Sequence, residues 1–227
     1  MLTKFLLFYI LYQVIGNPIA ALVVIAVVYL AIDRTFFGFV PDPFRAFRIS
    51  GRIRDLRRLI ALNPHDARAL KELGILMADR GDSKSAQGYF ERAAPRMSDD
   101  PEFQYYHGIT AARNGDIRKG RALIESALQV SPRLKYGEPY LMLAEVYIDR
   151  GDFKEALPLL GNFERIYHAS PRGLYQMGLV KLKLGMEKEG TDMLKEAIRT
   201  FKTSPRYKRK TERKWVWKAR LLLRKGA

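Results

Sequence analysis

The stretch that decides the fold is residues 70–94, LKELGILMADRGDSKSAQGYFERAA. Its centre is the pair Gly81-Asp82, and the tetrapeptide DRGD around this pair recurs at residues 149–152. Glycine adopts the left-handed backbone that ends a helix, and aspartate caps the start of the next one. The pair therefore predicts a helix–turn–helix corner. Arg-Gly-Asp is also a cell-adhesion signal, but Gly115-Asp116 repeats the corner without the arginine, which favours the structural interpretation.

Corner glycines recur every 34 to 36 residues. When the chain is aligned on these glycines, other positions form columns of similar residues. The glycines are Gly81, Gly115, Gly151 and Gly185. Small residues stand seven positions before each glycine and five and twelve positions after it, with Phe163 as the exception. They are Gly74, Gly108, Ala144 and Gly178, then Ala86, Gly120, Ala156 and Gly190, then Ala93, Ala127 and Ala197. Helices approach closely only where facing side chains are small, so these columns predict paired antiparallel helices.

This pattern resembles the tetratricopeptide repeat family. The best match is Leu70-x-x-Leu73-Gly74-x-x-Met77, followed by Ala86, Phe90 and Ala93. The resemblance covers four repeats over residues 67–201, and it implies an all-α, right-handed solenoid of helix pairs. The chain departs from the pattern at Gln104, His107, Phe163 and Lys181, and in a two-residue insertion near residues 135–137. We expect His107 to be a hydrogen-bonded core residue rather than a ligand.

The resemblance also implies a binding site, because the family binds peptides or partner helices in a concave groove lined by the first helix of each repeat. Carried over position by position, the predicted groove residues are Lys71, Ile75, Asp79, Tyr105, Ile109, Arg113, Leu141, Glu145, Asp149, Tyr175, Leu179 and Lys183. One subtype clamps a terminal carboxylate with asparagines where this chain has Ile75 and Ile109, so we expect no clamp. The partner should be a helix or an extended segment of another protein.

Charged residues are distributed unevenly along the chain, whose net charge is +16. Residues 66–201 carry 21 basic and 20 acidic residues, whereas residues 202–227 carry 11 basic and 1 acidic. The predicted domains are 1–40, a membrane anchor with an interfacial segment; 41–66, a basic juxtamembrane linker with a degenerate half repeat; 67–201, the four repeats; and 202–227, a basic amphipathic capping helix. Basic ends favour an anionic partner, either lipid or nucleic acid.

The N-terminal segment from Phe5 to Ile32 contains 28 residues without a charge. As one helix it would be about 42 Å long, more than the roughly 20 residues that a bilayer core requires. We favour one transmembrane helix kinked at Pro18. A re-entrant hairpin, with Asn17 capping a second short helix, stays open. The apolar run is too long for an ordinary cleaved signal peptide.

Basic residues are distributed unequally about this segment. Seven arginines lie within residues 34–58, while only Lys4 precedes the apolar run. This bias predicts that the repeats face the cytoplasm, with an exported solenoid as the alternative. Arg45, Arg48 and Arg52 are predicted to contact anionic lipid.

The C-terminal helix is predicted to have two different sides. Trp215, Val216, Ala219, Leu222 and Leu223 fall on one side and should cover the last repeat. The other side is basic and contains a tryptophan, and Arg209, Lys210, Arg213, Lys214 and Trp217 are its predicted contacts with an anionic surface. A plain cap, a lipid-binding helix and a nucleic-acid-binding helix stay open as interpretations.

Catalytic chemistry has no support in the sequence. The chain has no cysteine, and its three histidines show no metal-ligand spacing. No phosphate-binding or nucleophile motif occurs, so we expect no enzyme activity, no metal and no cofactor. The sequence predicts a membrane-tethered scaffold that binds a protein partner. A nucleic-acid-binding protein acting through the C-terminal helix is the alternative.

Overall fold

The computed structural model describes residue 13, residues 16–32 and residues 45–225 of the chain. The chain divides into two compact units, Met1–Ala46 and Phe47–Ala227. All regular elements in the described residues are helices, which confirms the predicted all-α class. The predicted domain bounds stay predictions.

The first unit contains helix α1, Pro18–Ile32. The Asn17 Oδ1 accepts hydrogen bonds from the backbone N–H groups of Ile19 at 2.9 Å and Ala20 at 3.3 Å. Gly16 is left-handed, with φ 70°. Residues 16–18 therefore start a helix, as in the hairpin alternative, and are not a kink inside one continuous helix. The rest of the predicted span, and the predicted contact Arg45 at the level of its side chain, lie outside the described residues.

Among the helices that the structure describes, none is both long and apolar enough to span a bilayer.

The other described helices build the repeats. They are α2 (Arg45–Leu62), α3 (Ala67–Asp79), α4 (Ser83–Met97), α5 (Pro101–Arg113), α6 (Ile117–Val130), α7 (Glu138–Arg150), α8 (Phe153–Ile166), α9 (Pro171–Lys183), α10 (Glu187–Thr203) and α11 (Arg206–Lys225). Helices α3 to α10 pack as four successive pairs, and each pair also contacts the next. Helix α2 precedes them and places Ile53, Leu56 and Ile60 in the core of the first pair.

The corner of each pair has the predicted backbone. Gly81, Gly115, Gly151 and Gly185 are all left-handed, with φ between 79° and 102°. The N–H after each glycine donates to a carbonyl five residues earlier, as in Asp82 to Met77 at 3.0 Å and Asp116 to Ala111 at 3.0 Å. This combination of a left-handed glycine and a hydrogen bond back to the helix satisfies carbonyl groups that the helix end would otherwise leave unpaired. The corner prediction is confirmed.

Aspartate caps the second helix in only two of the pairs. The Asp82 carboxylate accepts from the Ser85 N–H at 3.1 Å, and Asp116 accepts from Lys119 at 3.0 Å. Asp152 makes no such bond, because its carboxylate instead accepts from the Arg150 guanidinium at 3.3 Å. The expected cap at Asp152 is therefore wrong.

The small columns allow the two helices of a pair to touch through their backbones. A Cβ added to Gly108 would lie 2.8 Å from the Gly120 carbonyl oxygen, and one on Gly178 would lie 2.9 Å from the Gly190 oxygen. At Gly74, the Phe90 ring occupies the space that a side chain would need. The predicted close approach is confirmed at Gly108 and Gly178, where it limits the distance between the two helices of the pair.

Two departures from the repeat are accommodated locally. Phe163 is buried at a column that is otherwise small, and its ring fills the space beside Gly173 on the next helix. The insertion between α6 and α7 places Lys135, Tyr136 and Gly137 in succession in the left-handed region. This turn absorbs the additional residues without disturbing the helices on either side.

His107 is a core residue, as predicted. Its ring lies between Phe90 and Phe103, with ring centroids 5.9 and 5.5 Å away. Its Nε2 lies 3.3 Å from the Gln87 amide nitrogen, a hydrogen-bond distance. Burial lowers the pKa of the His107 imidazole. The neutral ring therefore fills the position of an apolar side chain.

Helix α11 covers the last pair. Trp215, Val216 and Ala219 are buried, and the Trp215 ring packs on Tyr175 of α9 at 5.5 Å. Leu222 and Leu223 are partly buried against the same cluster. The predicted apolar side of this helix is confirmed.

Ion pairs join successive pairs of helices at the N-terminal ends of the first helices. The Lys71 ammonium lies 2.7 Å from the Asp100 carboxylate and 2.9 Å from Glu102, both on the next pair. Burial alone lowers the pKa of Lys71, but the hydrogen bonds that its ammonium donates to the two carboxylates outweigh it and raise that pKa. Burial alone raises the pKa of Asp100, and the bond to Lys71 lowers it below its usual range. Hydrogen bonding to Lys71 likewise lowers the pKa of Glu102.

The close approach at Gly108 predicts a stability difference between two glycine substitutions. Gly108→Ala should lower the free energy of unfolding by about 1–3 kcal/mol, because its Cβ meets backbone rather than a flexible side chain. Gly88→Ala, also within a helix but facing open space, should raise it by up to about 1 kcal/mol. Urea denaturation measures both. Equal effects would contradict the close approach.

The Lys71 ion pairs predict a pH-dependent effect of Lys71→Met. Because Asp100 and Glu102 have lowered pKa values, their stabilisation is present above about pH 4 and is lost as pH falls through their folded values. The substitution should cost about 1 kcal/mol at pH 7 and less at pH 3. Lys84→Met, at an exposed lysine, is the control. A cost independent of pH would contradict the ion-pair account.

Candidate protein-binding groove

The predicted groove residues occupy three equivalent positions on each first helix, α3, α5, α7 and α9. We name them by their place along the helices. The amino-end row is Lys71, Tyr105, Leu141 and Tyr175; the middle row is Ile75, Ile109, Glu145 and Leu179; the charge row is Asp79, Arg113, Asp149 and Lys183. The three rows differ in burial and in pairing.

The amino-end row contributes mainly to packing. Tyr105 and Leu141 are buried in the cluster that joins the second and third pairs, while Tyr175 packs against Trp215. Burial raises the pKa of the Tyr105 phenol well above its usual range. Lys71 is held by its ion pairs to Asp100 and Glu102. These four side chains therefore offer little surface to a partner. Their positions in the repeat did not indicate this burial.

The middle row is mixed. Ile75 and Leu179 are half-buried and present part of their apolar surface, whereas Ile109 is only 3% exposed. The Glu145 carboxylate accepts from the Arg172 guanidinium at 2.6 Å. Its other oxygen lies 3.4 Å from the Gln176 amide nitrogen. Two apolar side chains of this row therefore remain available.

The charge row is the most accessible of the three. All four of its side chains are exposed. Their signs alternate along the repeats, from acidic Asp79 to basic Arg113, then acidic Asp149 and basic Lys183. Within the described residues, none of the four takes part in a hydrogen bond or an ion pair.

A surface depression lies between the second and third pairs. Its lining includes Arg113 from α5 and Asp149 from α7 on the charge row, with Ala112, Gly115, Glu145, Val146 and Arg150 around them. The apolar floor from Ala112 and Val146 between opposite charges suits a partner side chain with an alkyl stem and a polar end.

A second depression involves residues that the sequence did not single out. Arg172 lies over the Trp215 ring, with its guanidinium carbon 5.3 Å from the ring centroid, and Lys208 donates to the Tyr167 hydroxyl at 2.6 Å. The backbone N–H of Arg172 donates to the Glu212 carboxylate at 3.1 Å, yet burial raises the pKa of this carboxyl. These contacts join α9 and the end of α8 to α11, and no local sequence signal marks them because the partners lie up to 43 residues apart.

The predicted anionic-surface residues are not all free. Arg209 donates to the carbonyls of Ser204 at 2.8 Å and Lys202 at 2.6 Å, so it caps the end of α10. The Lys214 ammonium lies 4.6 Å from the Trp215 ring centroid. Lys210 and Arg213 are exposed, and Trp217 is 65% exposed. Near the N-terminus Arg48 is exposed, and Arg52 pairs with Glu72 through its Nε at 2.6 Å.

Within the described residues, no cluster of three or more histidine, aspartate or glutamate side chains could hold a metal ion.

Comparison with known proteins identifies repeats in two parts of the chain. Family models described as Tetratricopeptide repeat match residues 53–101 and residues 137–162. A curated relative, the BBSome complex member BBS4 homolog of Drosophila melanogaster, is 26% identical over 158 residues. That match covers 64% of this chain but only 32% of the relative, so the chain spans about a third of that protein.

Solved structures of repeat proteins superimpose on the chain. A crystal structure of MamA matches with a TM-score of 0.60 at 18% identity, over 69% of this chain and 85% of that one. The thermophilic TPR protein TTC0263 from Thermus thermophilus matches with a TM-score of 0.53 at 24% identity, over 69% and 82%.

YrrB, described as a TPR protein with an unusual peptide-binding site, matches with a TM-score of 0.50 at 18% identity, over 72% of this chain and 88% of that one. At these identities, the three structures bear on the fold alone. The helix pairs, the corner glycines and the two family matches agree that the chain contains tetratricopeptide repeats.

Proposed function

We propose that this chain is a membrane-tethered scaffold whose repeats bind a protein partner along the first helices. One observation carries the binding surface: the charge row is exposed and unpaired beside the partly exposed apolar side chains of Ile75 and Leu179. Apolar contact area supplies affinity, and charges around it supply specificity and orientation. The peptide-binding site of YrrB, a repeat protein of similar fold, is consistent with this use of the surface.

The membrane part of the proposal rests on the N-terminal segment. Its 28 uncharged residues are uncommon in a soluble domain, and Ile19 and Val27 of α1 are more than half exposed. The arginines of residues 34–58 follow on one side only, which favours a cytoplasmic location for the repeats. A tethered scaffold would hold its partner at the bilayer and raise the local concentration of that partner.

The C-terminal helix is proposed as an additional contact with anionic lipid. Lys210, Arg213 and the exposed Trp217 lie on the side that faces away from the last pair. An indole beside cations suits the boundary between headgroups and acyl chains. The same residues also suit RNA, where the ring would stack on a base. Direct competition between phosphatidylserine vesicles and RNA for the chain separates the two, and preferential RNA binding would overturn the lipid assignment.

Partner binding should depend on the apolar residues of the middle row. Ile75→Asp with Leu179→Asp should reduce the captured partner about tenfold or more, since each substitution places a charge in the apolar contact. Val130→Asp, at an exposed residue on α6, should leave capture unchanged. Quantitative affinity capture measures the loss, and thermal melts check folding. The milder pair Ile75→Ala and Leu179→Ala should act in the same direction; undiminished capture by both pairs would contradict the proposed surface.

Membrane attachment should resist an alkaline carbonate wash. The full-length chain should stay with the membranes, whereas Val24→Arg with Val28→Arg should release much of it, because each arginine costs about 2.5–3.5 kcal/mol in the bilayer centre. Release of the unsubstituted chain would contradict the anchor.

Sidedness follows from the same membranes with Val130→Cys in the naturally cysteine-free chain. An impermeant thiol reagent should label intact cells poorly and opened membranes fully. Full labelling of intact cells would place the repeats outside the cytoplasm.

A further inference from the structure

We propose that the charge row selects a helical partner segment whose charges alternate in sign at seven-residue spacing. This inference rests on the proposed protein-binding function and specifies the chemistry of the partner. The charge row is the set Asp79, Arg113, Asp149 and Lys183, each two residues before a corner glycine.

The two ends of the first helices contrast in pairing. At the amino ends and the middle of the first helices, these charges are satisfied within the chain: Lys71 pairs with Asp100 at 2.7 Å, and Arg172 pairs with Glu145 at 2.6 Å. At the carboxyl ends, all four charges of the row are exposed and unpaired within the described residues. Satisfied ion pairs stabilise the stack, whereas a regular set of unsatisfied ones is available to another molecule.

Opposite neighbours in the row do not neutralise each other. Arg113 and Asp149 line the same depression, yet no ion pair joins them. The nearby charges are engaged elsewhere, since Arg150 donates to Asp152 at 3.3 Å and Glu145 accepts from Arg172. The gap between Arg113 and Asp149 therefore leaves room for side chains of a partner that pair with each of them.

Spacing distinguishes a helix from a β-strand. Packed helices lie about 8–10 Å apart, so neighbouring charges of the row are separated by about that distance. A helix rises 1.5 Å per residue and covers about 10 Å in seven residues, which return to the same face within roughly 20°. An extended strand covers the same distance in about three residues, and residues three apart point to opposite faces. A β-strand therefore does not match the row, whereas a polyproline II segment, which returns to one face every three residues over about 9 Å, is the extended alternative that the test below separates from the helix.

Charge complementarity then fixes the pattern. Opposite Asp79, Arg113, Asp149 and Lys183 the partner needs a basic, an acidic, a basic and an acidic residue in turn. Four such positions span about 30 Å, the length of a helix of about 20 residues. Since the row contains two charges of each sign, its selectivity comes from order rather than from net charge.

The test uses two helical peptides of 24 residues with an alanine and glutamine background and identical composition. One carries Lys, Glu, Lys and Glu at positions 2, 9, 16 and 23, and the other carries Lys, Glu, Glu and Lys. Reversing the direction of binding does not make the second peptide fully complementary. The full-length chain should bind the first peptide about fivefold more tightly at low ionic strength, and the preference should fall in high salt.

A variant reverses the prediction at constant charge. Asp149→Lys with Lys183→Glu changes the row from acidic, basic, acidic, basic to acidic, basic, basic, acidic, which is complementary to the second peptide. The preference between the peptides should therefore invert. Both changes are at exposed residues without partners in the described part of the chain, so folding should be retained.

Several outcomes would overturn the inference. They are equal binding of both peptides to the unsubstituted chain, no binding of the alternating peptide, a preference that survives the double substitution unchanged, or tighter binding of a proline-containing extended peptide with charges at every third residue. The proposed function fails separately, when substitution of Ile75 and Leu179 leaves partner capture intact. If partner capture depends on Ile75 and Leu179 but both peptides bind equally, the proposed scaffold function stands and the proposed charge order is rejected.

Discussion

The close approach of the two helices within a pair is the constraint on which the rest of the structure depends. At Gly108 and Gly120, and again at Gly178 and Gly190, one backbone lies where a side chain would otherwise stand. This contact limits the separation of the helices in those two pairs, and a left-handed glycine forms the turn between the helices of all four pairs. Similar pairs then stack one on the next, so equivalent residues fall into rows.

Those rows divide the structural and the functional roles of the first helices. The amino-end row is used for stacking, through the buried Tyr105 and Leu141 and the ion pairs of Lys71. The charge row is exposed, and we propose it as the contact with another molecule. The division keeps the proposed interaction surface away from the packing that holds successive repeats together. A substitution at the charge row should therefore change recognition with little effect on the fold.

Much of the fold could be predicted because its signals are local or periodic. The corners need only a glycine and the residues beside it, and the small columns repeat every 34 to 36 positions. Burial of the candidate site could not be predicted in the same way. Whether Tyr105 or Ile109 faces a groove or the next repeat depends on the rotation between repeats, which no single repeat encodes.

The sequence also did not indicate which tertiary contacts individual residues make. Phe163 interrupts a small column, and the structure accommodates it with Gly173, ten residues later on a different helix. Arg209 belongs to a basic run that suggests an anionic surface, yet it caps the carbonyls of Ser204 and Lys202. In both cases the residue type was known, but its partner depends on tertiary packing.

The central claim is that the first helices, and not the second helices, form the binding surface. Hydrogen exchange of the full-length chain, measured with and without a partner captured by the repeats, tests this most directly. The account predicts slower exchange of backbone amides near Asp79, Arg113, Asp149 and Lys183 at the ends of α3, α5, α7 and α9. Slower exchange confined to α4, α6, α8 and α10 would contradict it.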